Sequence, residues 1–191
     1  MKTIILLLVV ILLAFAFKQN AFAKSSNKNM EKLDLKNKKV LVVYYSITGN
    51  TKTVAEKIQQ FTNADIFRLE TVKKYSDEYH ALTEEAKKEI NEGFKPELKS
   101  NIDVKDYDVI FIGSPCWWST YVPAVSTFLS INDLSNKTII PFMTHEGSRL
   151  GSTERHLKRD APNSTIVHGL AIYGHNANSS DKTIENFINN L

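Results

Sequence analysis

Cysteine is almost missing. Cys116 stands alone among 191 residues, so no internal disulfide can staple the fold and stability must come from a buried core. Excess charge is missing too. The 24 basic and 21 acidic side chains nearly cancel, and Lys and Arg form no compact run, which excludes nucleic acid and a membrane surface as expected partners. There is no internal repeat and no low-complexity segment. His, Cys and carboxylate residues show no metal-ligand spacing, and His156, His168 and His175 read as incidental.

Long apolar runs are also scarce. The one from Ile4 to Phe17 spans fourteen residues, short of the ~20 that a helix needs to cross a bilayer. It follows Lys2 and leads to Ala21-Phe22-Ala23, the pattern of a secretory signal peptide cut before Lys24. The chain is therefore expected to be exported, secreted or periplasmic, and membrane-anchored only if residues 1–23 are retained. No Cys follows the run, so no lipid is expected there. No twin Arg precedes it, so export of an unfolded chain is expected, with any cofactor acquired outside. Loss of residues 1–23 removes Lys2 and Lys18, leaving 22 basic against 21 acidic groups. Residues 24–37 form a polar, Asn- and Lys-rich leader, and residues 38–191 form one domain, since the length suits a single core.

Within that domain strand and helix patterns alternate. Val40 to Tyr45 is an unbroken β-branched and aromatic run, as expected of a parallel strand buried on both faces. Val54, Ala55, Ile58 and Phe61 then recur at helical spacing. Ala64 to Leu69 suits a shorter, half-exposed strand. A charged helix with Tyr79, Leu82, Ala86 and Ile90 facing inward runs to Gly93, a natural stop. Val109 to Ile112, Thr138 to Met143 and Ile166 to Ile172 supply three more strands. Helices are expected around Val122 to Leu129, Ser152 to Arg159 and Ile184 to Leu191. Five alternations imply right-handed crossovers and a parallel sheet with helices on both faces. Pro141 disagrees with its place in the fourth strand, because it cannot donate a ladder hydrogen bond unless it sits at the strand's start.

Between the first strand and first helix lies Ser46-Ile47-Thr48-Gly49-Asn50-Thr51. In open α/β sheets the ligand crevice lies beyond the carboxyl ends of the strands, where this loop falls. Its hydroxyls and the unpaired N–H groups of the helix start suit an anion such as a phosphate. The same residues also suit a simple capped turn. The loop is neither a Walker A sequence nor a G-x-G-x-x-G turn, which argues against nucleoside triphosphates and a Rossmann-bound dinucleotide.

The run Val42-Val43-Tyr44-Tyr45-Ser46-Ile47-Thr48-Gly49-Asn50-Thr51, followed by Ala55 and Ile58, resembles the flavodoxin family signature, and the resemblance extends from Lys38 to Leu191. It implies a three-layer α/β fold with a five-stranded parallel sheet in the order 2-1-3-4-5, and the half-polar second strand at an edge. It also implies that Ser46, Thr48, Gly49, Asn50 and Thr51 hold the phosphate of FMN with uncharged donors. Gly113-Ser114-Pro115-Cys116-Trp117-Trp118-Ser119 looks like the second flavin loop of one flavodoxin-like branch and of NAD(P)H:quinone reductases. Ser114, Pro115, Cys116, Trp117 and Trp118 are thus candidate flavin contacts.

Two adjacent Trp side chains would expose much apolar surface unless a flat partner such as an isoalloxazine ring covers them, and since neighbours in sequence cannot both face one way, only one of the two is expected to touch flavin. Cys116 suits a small buried hydrophobe better than a reactive thiol. A phosphatase loop would need Arg where Val122 stands. Thr144-His145-Glu146-Gly147-Ser148 falls where the family places its third flavin loop; Gly147 and Ser148 match that pattern, Thr144 is a further candidate contact, and Arg149 stands where a small residue is usual. His145 is the one candidate catalytic residue, as part of a proton relay with Glu146; a solvated loop histidine fits as well.

Resemblance to the family implies redox work. An FMN-dependent oxidoreductase passing two electrons from NAD(P)H to a quinone or similar acceptor is one outcome. A one-electron carrier serving a redox protein partner and a non-catalytic flavin module are the alternatives. Carriers in the family are typically acidic and have a glycine in the second loop; this chain is nearly neutral, and Cys116 to Thr120 contains no Gly. Both features lean toward two-electron chemistry. Family analogy allows a homodimer.

Overall fold

The computed structural model describes residues 33–191. The expected signal peptide and residues 24–32 of the leader lie outside the described residues. Strand β1 (Val40–Tyr44) is buried at every position, and its apolar side chains alternate between two helical layers. Helix α1 (Asn50–Thr62) follows, then β2 (Asp65–Arg68), α2 (Tyr79–Glu92), β3 (Val109–Pro115), α3 (Pro123–Ile131), β4 (Thr138–His145) and α4 (Thr153–Asp160). The chain closes with β5 (Thr165–Ile166), β6 (Leu170–Tyr173), a 3₁₀ turn (Gly174–Ser179) and α5 (Asp181–Asn189).

All strand pairs are parallel, in the order β2-β1-β3-β4-β5, with β6 continuing on the same side of β4. The three-layer α/β arrangement is as expected, with the exposed strand β2 at an edge. Helices α1 and α5 pack together with the 3₁₀ turn, while α2, α3 and α4 pack in series on the other side of the sheet. The larger core lies beneath that second layer, where Leu41, Val43, Ile110, Ile112, Val125, Phe128 and Leu157 meet. Phe61, aligned by spacing with the buried face of α1, is 40% exposed.

The fifth strand is broken in two, and Pro141 accounts for the break. Pro141 lies within β4, paired with Ile112 of β3, and not at the strand's start. The Ile139 carbonyl accepts the Val167 N–H at 3.0 Å, so residue 141, two positions on, also turns its backbone toward the β5–β6 side. There the missing N–H meets the gap between β5 and β6 and costs no ladder bond. Gly169 fills the gap; a Cβ on it would lie 2.4 Å from the Pro141 carbonyl oxygen.

Gly113 has a similar steric role in β3. A Cβ there would lie 2.1 Å from Cζ of Phe142, a ring that is fully buried. Gly113→Ala is therefore expected to overpack the sheet and cost about 1–3 kcal/mol. A lowered urea midpoint with an unchanged slope would bear this out, and an unchanged midpoint would contradict it.

Candidate functional site

The order of strands reverses between β1 and β3, and the helices that follow them leave on opposite faces. A cleft therefore opens at the carboxyl end of the sheet, where three loops converge. Its volume is ≈ 580 Å³.

The first loop joins β1 to α1. Gly49 adopts φ +97°, a left-handed conformation that few side chains tolerate, and it sits just ahead of the helix. The Ser46 hydroxyl accepts the Gly49 N–H at 3.2 Å, and the Arg68 guanidinium holds the Ser46 carbonyl at 3.1 Å. No side chain caps α1. Its first-turn N–H groups thus lack intrahelical partners and carry the positive end of the helix dipole. Thr48 and Asn50 line the cleft, whereas Thr51 turns inward and its hydroxyl meets that of Thr144 at 2.8 Å, both buried. Ser46 and Gly49 shape the loop rather than face the cleft.

The second loop begins where β3 ends. Ser114 is fully buried; its hydroxyl accepts the Val122 N–H at 3.0 Å and so ties β3 to the start of α3. Pro115, Cys116, Trp117 and Trp118 all line the cleft. The Cys116 N–H donates to the Thr144 carbonyl at 2.8 Å, and burial pushes the thiol above its ordinary range, so it remains protonated.

Trp117 and Thr120 exchange both backbone hydrogen bonds, at 2.9 and 3.0 Å, across a two-residue turn. Trp118 (φ 48°) and Ser119 (φ 63°) are both left-handed there, as a primed hairpin turn requires. Without glycine such a conformation is costly, and neighbours hold it in place. Ser152 donates its N–H to the Ser119 carbonyl at 2.7 Å, and Gly151 lies so close that a Cβ would be 2.3 Å from the same oxygen. Trp118 is half exposed; its indole N–H reaches the Thr83 carbonyl at 3.0 Å, with the Lys87 ammonium 4.6 Å above the ring. Trp117 packs edge-on against Tyr45 and Tyr75. The two indoles do face different surroundings, yet both border the cleft.

The third loop starts inside β4. His145 is that strand's last residue and is 5% exposed, so it is not a solvated loop histidine. Its Nδ1 accepts the Gly147 N–H at 2.9 Å, which leaves the proton of the neutral ring on Nε2. Burial lowers its proton affinity below the ordinary value, and the ring lies against Tyr173 with centroids 4.3 Å apart. Glu146 and Ser148 line the cleft with Thr144 and His145, while Gly147, at φ 141°, turns the chain between them. Glu146 Oε1 and Asn50 Nδ2 both press on Gly174, within 2.4 and 2.7 Å of where its Cβ would be. The carboxylate therefore sits beside the opening of α1.

Sequence reasoning missed one wall of the cleft. Tyr79, Leu82, Thr83 and Ala86 of α2 form it, and Tyr79 is 77% exposed. Their helical spacing was readable, but the same spacing serves a core face or a cleft face. Ile47, Ser119, Glu146 and Gly174 complete the lining. Among the described residues, no Lys or Arg belongs to it. Among the described residues, no three His, Cys or carboxylate side chains gather in a way that could hold a metal.

A parallel α/β sheet whose switch-point cleft brings the opening of a helix together with two indoles defines a class of small doubly wound α/β domains. The sequence profile of the flavodoxin family matches residues 39–191, and the chain belongs to that family. No curated protein matches the chain. Among solved structures, a candidate flavoprotein from Bacteroides uniformis is similar at 28% identity and a TM-score of 0.72, covering 81% of this chain and 99% of that one. One from Bacteroides eggerthii is similar at 28% identity and a TM-score of 0.71, covering 80% and 97%. A flavoprotein from Lactobacillus acidophilus in complex with FMN shares 25% identity at a TM-score of 0.62, covering 76% and 97%.

The buried His145 has a consequence for stability. Because the unfolded chain binds a proton at His145 more readily than the folded one, its contribution is complete above pH 6.5 and is lost as pH falls below that value. His156, also lowered by burial, acts in the same direction. Unfolding free energy is expected to decline between about pH 7 and pH 5, and less steeply in His145→Asn, whose amide oxygen can still accept the Gly147 N–H. Equal slopes for the two proteins in urea titrations would contradict this.

Proposed function

We propose that this protein binds FMN in the cleft and uses it as a redox cofactor. The observation that carries this reading is the sharing of one cleft by the uncharged donors at the start of α1 and the indoles of Trp117 and Trp118. Membership of the flavodoxin family and the FMN complex of the Lactobacillus relative support it.

In this reading Thr48, Asn50 and the first-turn N–H groups of α1 hold the phosphate, while Ser46, Gly49 and Thr51 fix the loop that presents them. Pro115 to Trp118 flank the ring system, with Ser114 and Gly147 shaping the segments behind. Thr144, His145 and Ser148 border the cleft from the end of β4 and the loop after it, next to Cys116. When bound, FMN supplies hydride and electron transfer. His145, neutral with its N–H at Nε2, would offer a hydrogen bond to the ring system or to a bound substrate, and would act as an acid only after taking up a second proton.

The favoured activity is two-electron reduction of a quinone-like acceptor at the expense of NAD(P)H. Among the described residues the cleft lining carries no cationic side chain, which suits an uncharged acceptor, and the second loop holds its turn without glycine. One-electron transfer to a redox protein is a second reading, favoured by the exposed Ile47, Tyr79 and Trp118 at the cleft. Export with removal of residues 1–23 belongs to the same proposal, and the mass of the extracellular product tests it.

FMN titration tests the central reading. Thr48→Ala is expected to weaken binding by about tenfold or more, the scale of one hydrogen bond to a charged group. Trp117→Ala is expected to weaken it too, and unchanged affinity in both variants would overturn the assignment. Glu146, a carboxylate beside the cradle, opposes the phosphate; Glu146→Gln should tighten FMN about fivefold at low salt and leave riboflavin, which has no phosphate, unaffected. Oxidation of NAD(P)H only when both FMN and a quinone are present would support the enzyme reading, and failure of that turnover would favour the carrier.

A further inference from the structure

Behind the cleft lies a second set of polar groups that flavin binding does not employ. The ring of Trp117, which lines the cleft, meets Tyr75 edge-on with centroids 5.2 Å apart and planes at 84°. Tyr75 is buried, and its hydroxyl donates to Glu89 Oε2 at 2.6 Å. Glu89 is 5% exposed on the inner face of α2, a position where a carboxylate is expensive unless fully partnered. Its other oxygen takes the Lys73 ammonium, which Glu85 also engages. Beyond them a second cavity of ≈ 570 Å³, lined by Lys73, Glu85, Glu89 and Phe94 among others, opens to solvent. Trp117, Tyr75 and Glu89 therefore stand in line between two cavities.

We propose that Trp117, Tyr75 and Glu89 form a relay that carries one oxidising equivalent out of the cleft toward the second cavity. The starting event is removal of one electron from the Trp117 indole by a one-electron oxidant in the cleft, such as a peroxyl-class radical or a light-excited flavin. The indole radical then takes one electron from Tyr75 and regains its ring N–H, with any proton it lost returned by water. In the same step the Tyr75 O–H bond breaks and its proton forms a new O–H bond at Glu89 Oε2. The products are an intact Trp117, a neutral Tyr75 phenoxyl radical and a protonated Glu89, so charge and protons balance.

Glu89 is what makes Tyr75 the acceptor of the hole. Burial and the bond to Glu89 both keep the phenol protonated, so it can be oxidised only if its proton has somewhere to go. Tyr45 is nearly as close to Trp117, at 6.0 Å, but its hydroxyl has no carboxylate acceptor among the described residues and neighbours Thr71 instead. The relay passes through side chains present whether or not FMN is bound, so it goes beyond the flavin reading and stands or falls separately.

Pulse radiolysis with azidyl radical, which oxidises tryptophan, tests it in the full-length protein without FMN. The Trp118→Phe background leaves Trp117 as the remaining one of the two tryptophans. The tryptophanyl absorbance is expected to decay as tyrosyl absorbance rises, at a first-order rate independent of protein concentration. Tyr75→Phe should abolish that transfer and Tyr45→Phe should leave it. Glu89→Gln, which keeps a hydrogen-bond acceptor but cannot take the proton, should slow it by roughly tenfold or more. Transfer that survives Tyr75→Phe, or that is indifferent to Glu89→Gln, would overturn the relay.

Discussion

Everything at the site depends on the reversal of strand order between β1 and β3. Because α1 and α3 leave on opposite faces, neither covers the carboxyl ends of the two strands, and the chain cannot bury the crevice left between them. The loops on either side are then fixed to each other through β4. Thr144 does this with two groups: its hydroxyl meets Thr51 at the start of α1, and its carbonyl accepts the Cys116 N–H of the second loop. One buried residue thus sets the distance between the opening of α1 and the tryptophan loop.

In the proposed reading the cradle works with dipoles and not with ions. Uncaptured N–H groups at a helix start, aided by Thr48 and Asn50, can neutralise a phosphate without a cationic side chain in the lining. Apart from Glu146, the lining described is uncharged or weakly polar, which suits a flat, weakly polar guest. The carboxylate of Glu146 lies close to the opening of α1 and would limit how tightly an anion is held there. Backbone strain in the second loop is the other cost. The left-handed pair Trp118 and Ser119 persists because Ser152 and Gly151 brace it from another element and because Thr83 holds the indole.

Much of the fold was legible because burial on both faces leaves a plain signature. The β-branched run of β1, the turn residues after it and the Gly93 stop, which adopts φ 64° as a left-handed cap, all read directly. The fifth strand was legible as one run, and its break was not, since the break follows from Pro141 on a neighbouring strand. Tertiary context also decided α2. Its inward spacing was visible, but nothing local announced that Tyr79 and Leu82 would wall the cleft or that Glu89 would be buried beneath Tyr75. The three loops of the site were located by motif, while the inward turn of Thr51 and the buried, neutral His145 depend on packing that no short segment encodes.

In the proposed reading, capture of a terminal phosphate by uncharged donors is the interaction that most directly links the first loop to a redox role. Phosphorus NMR of FMN mixed with the protein measures it. The bound phosphate resonance is expected to shift from the free position and to hold its dianion value as the pH is lowered through the ionisation of free FMN. A resonance that stays at the free position and titrates with free FMN would contradict phosphate capture at the start of α1.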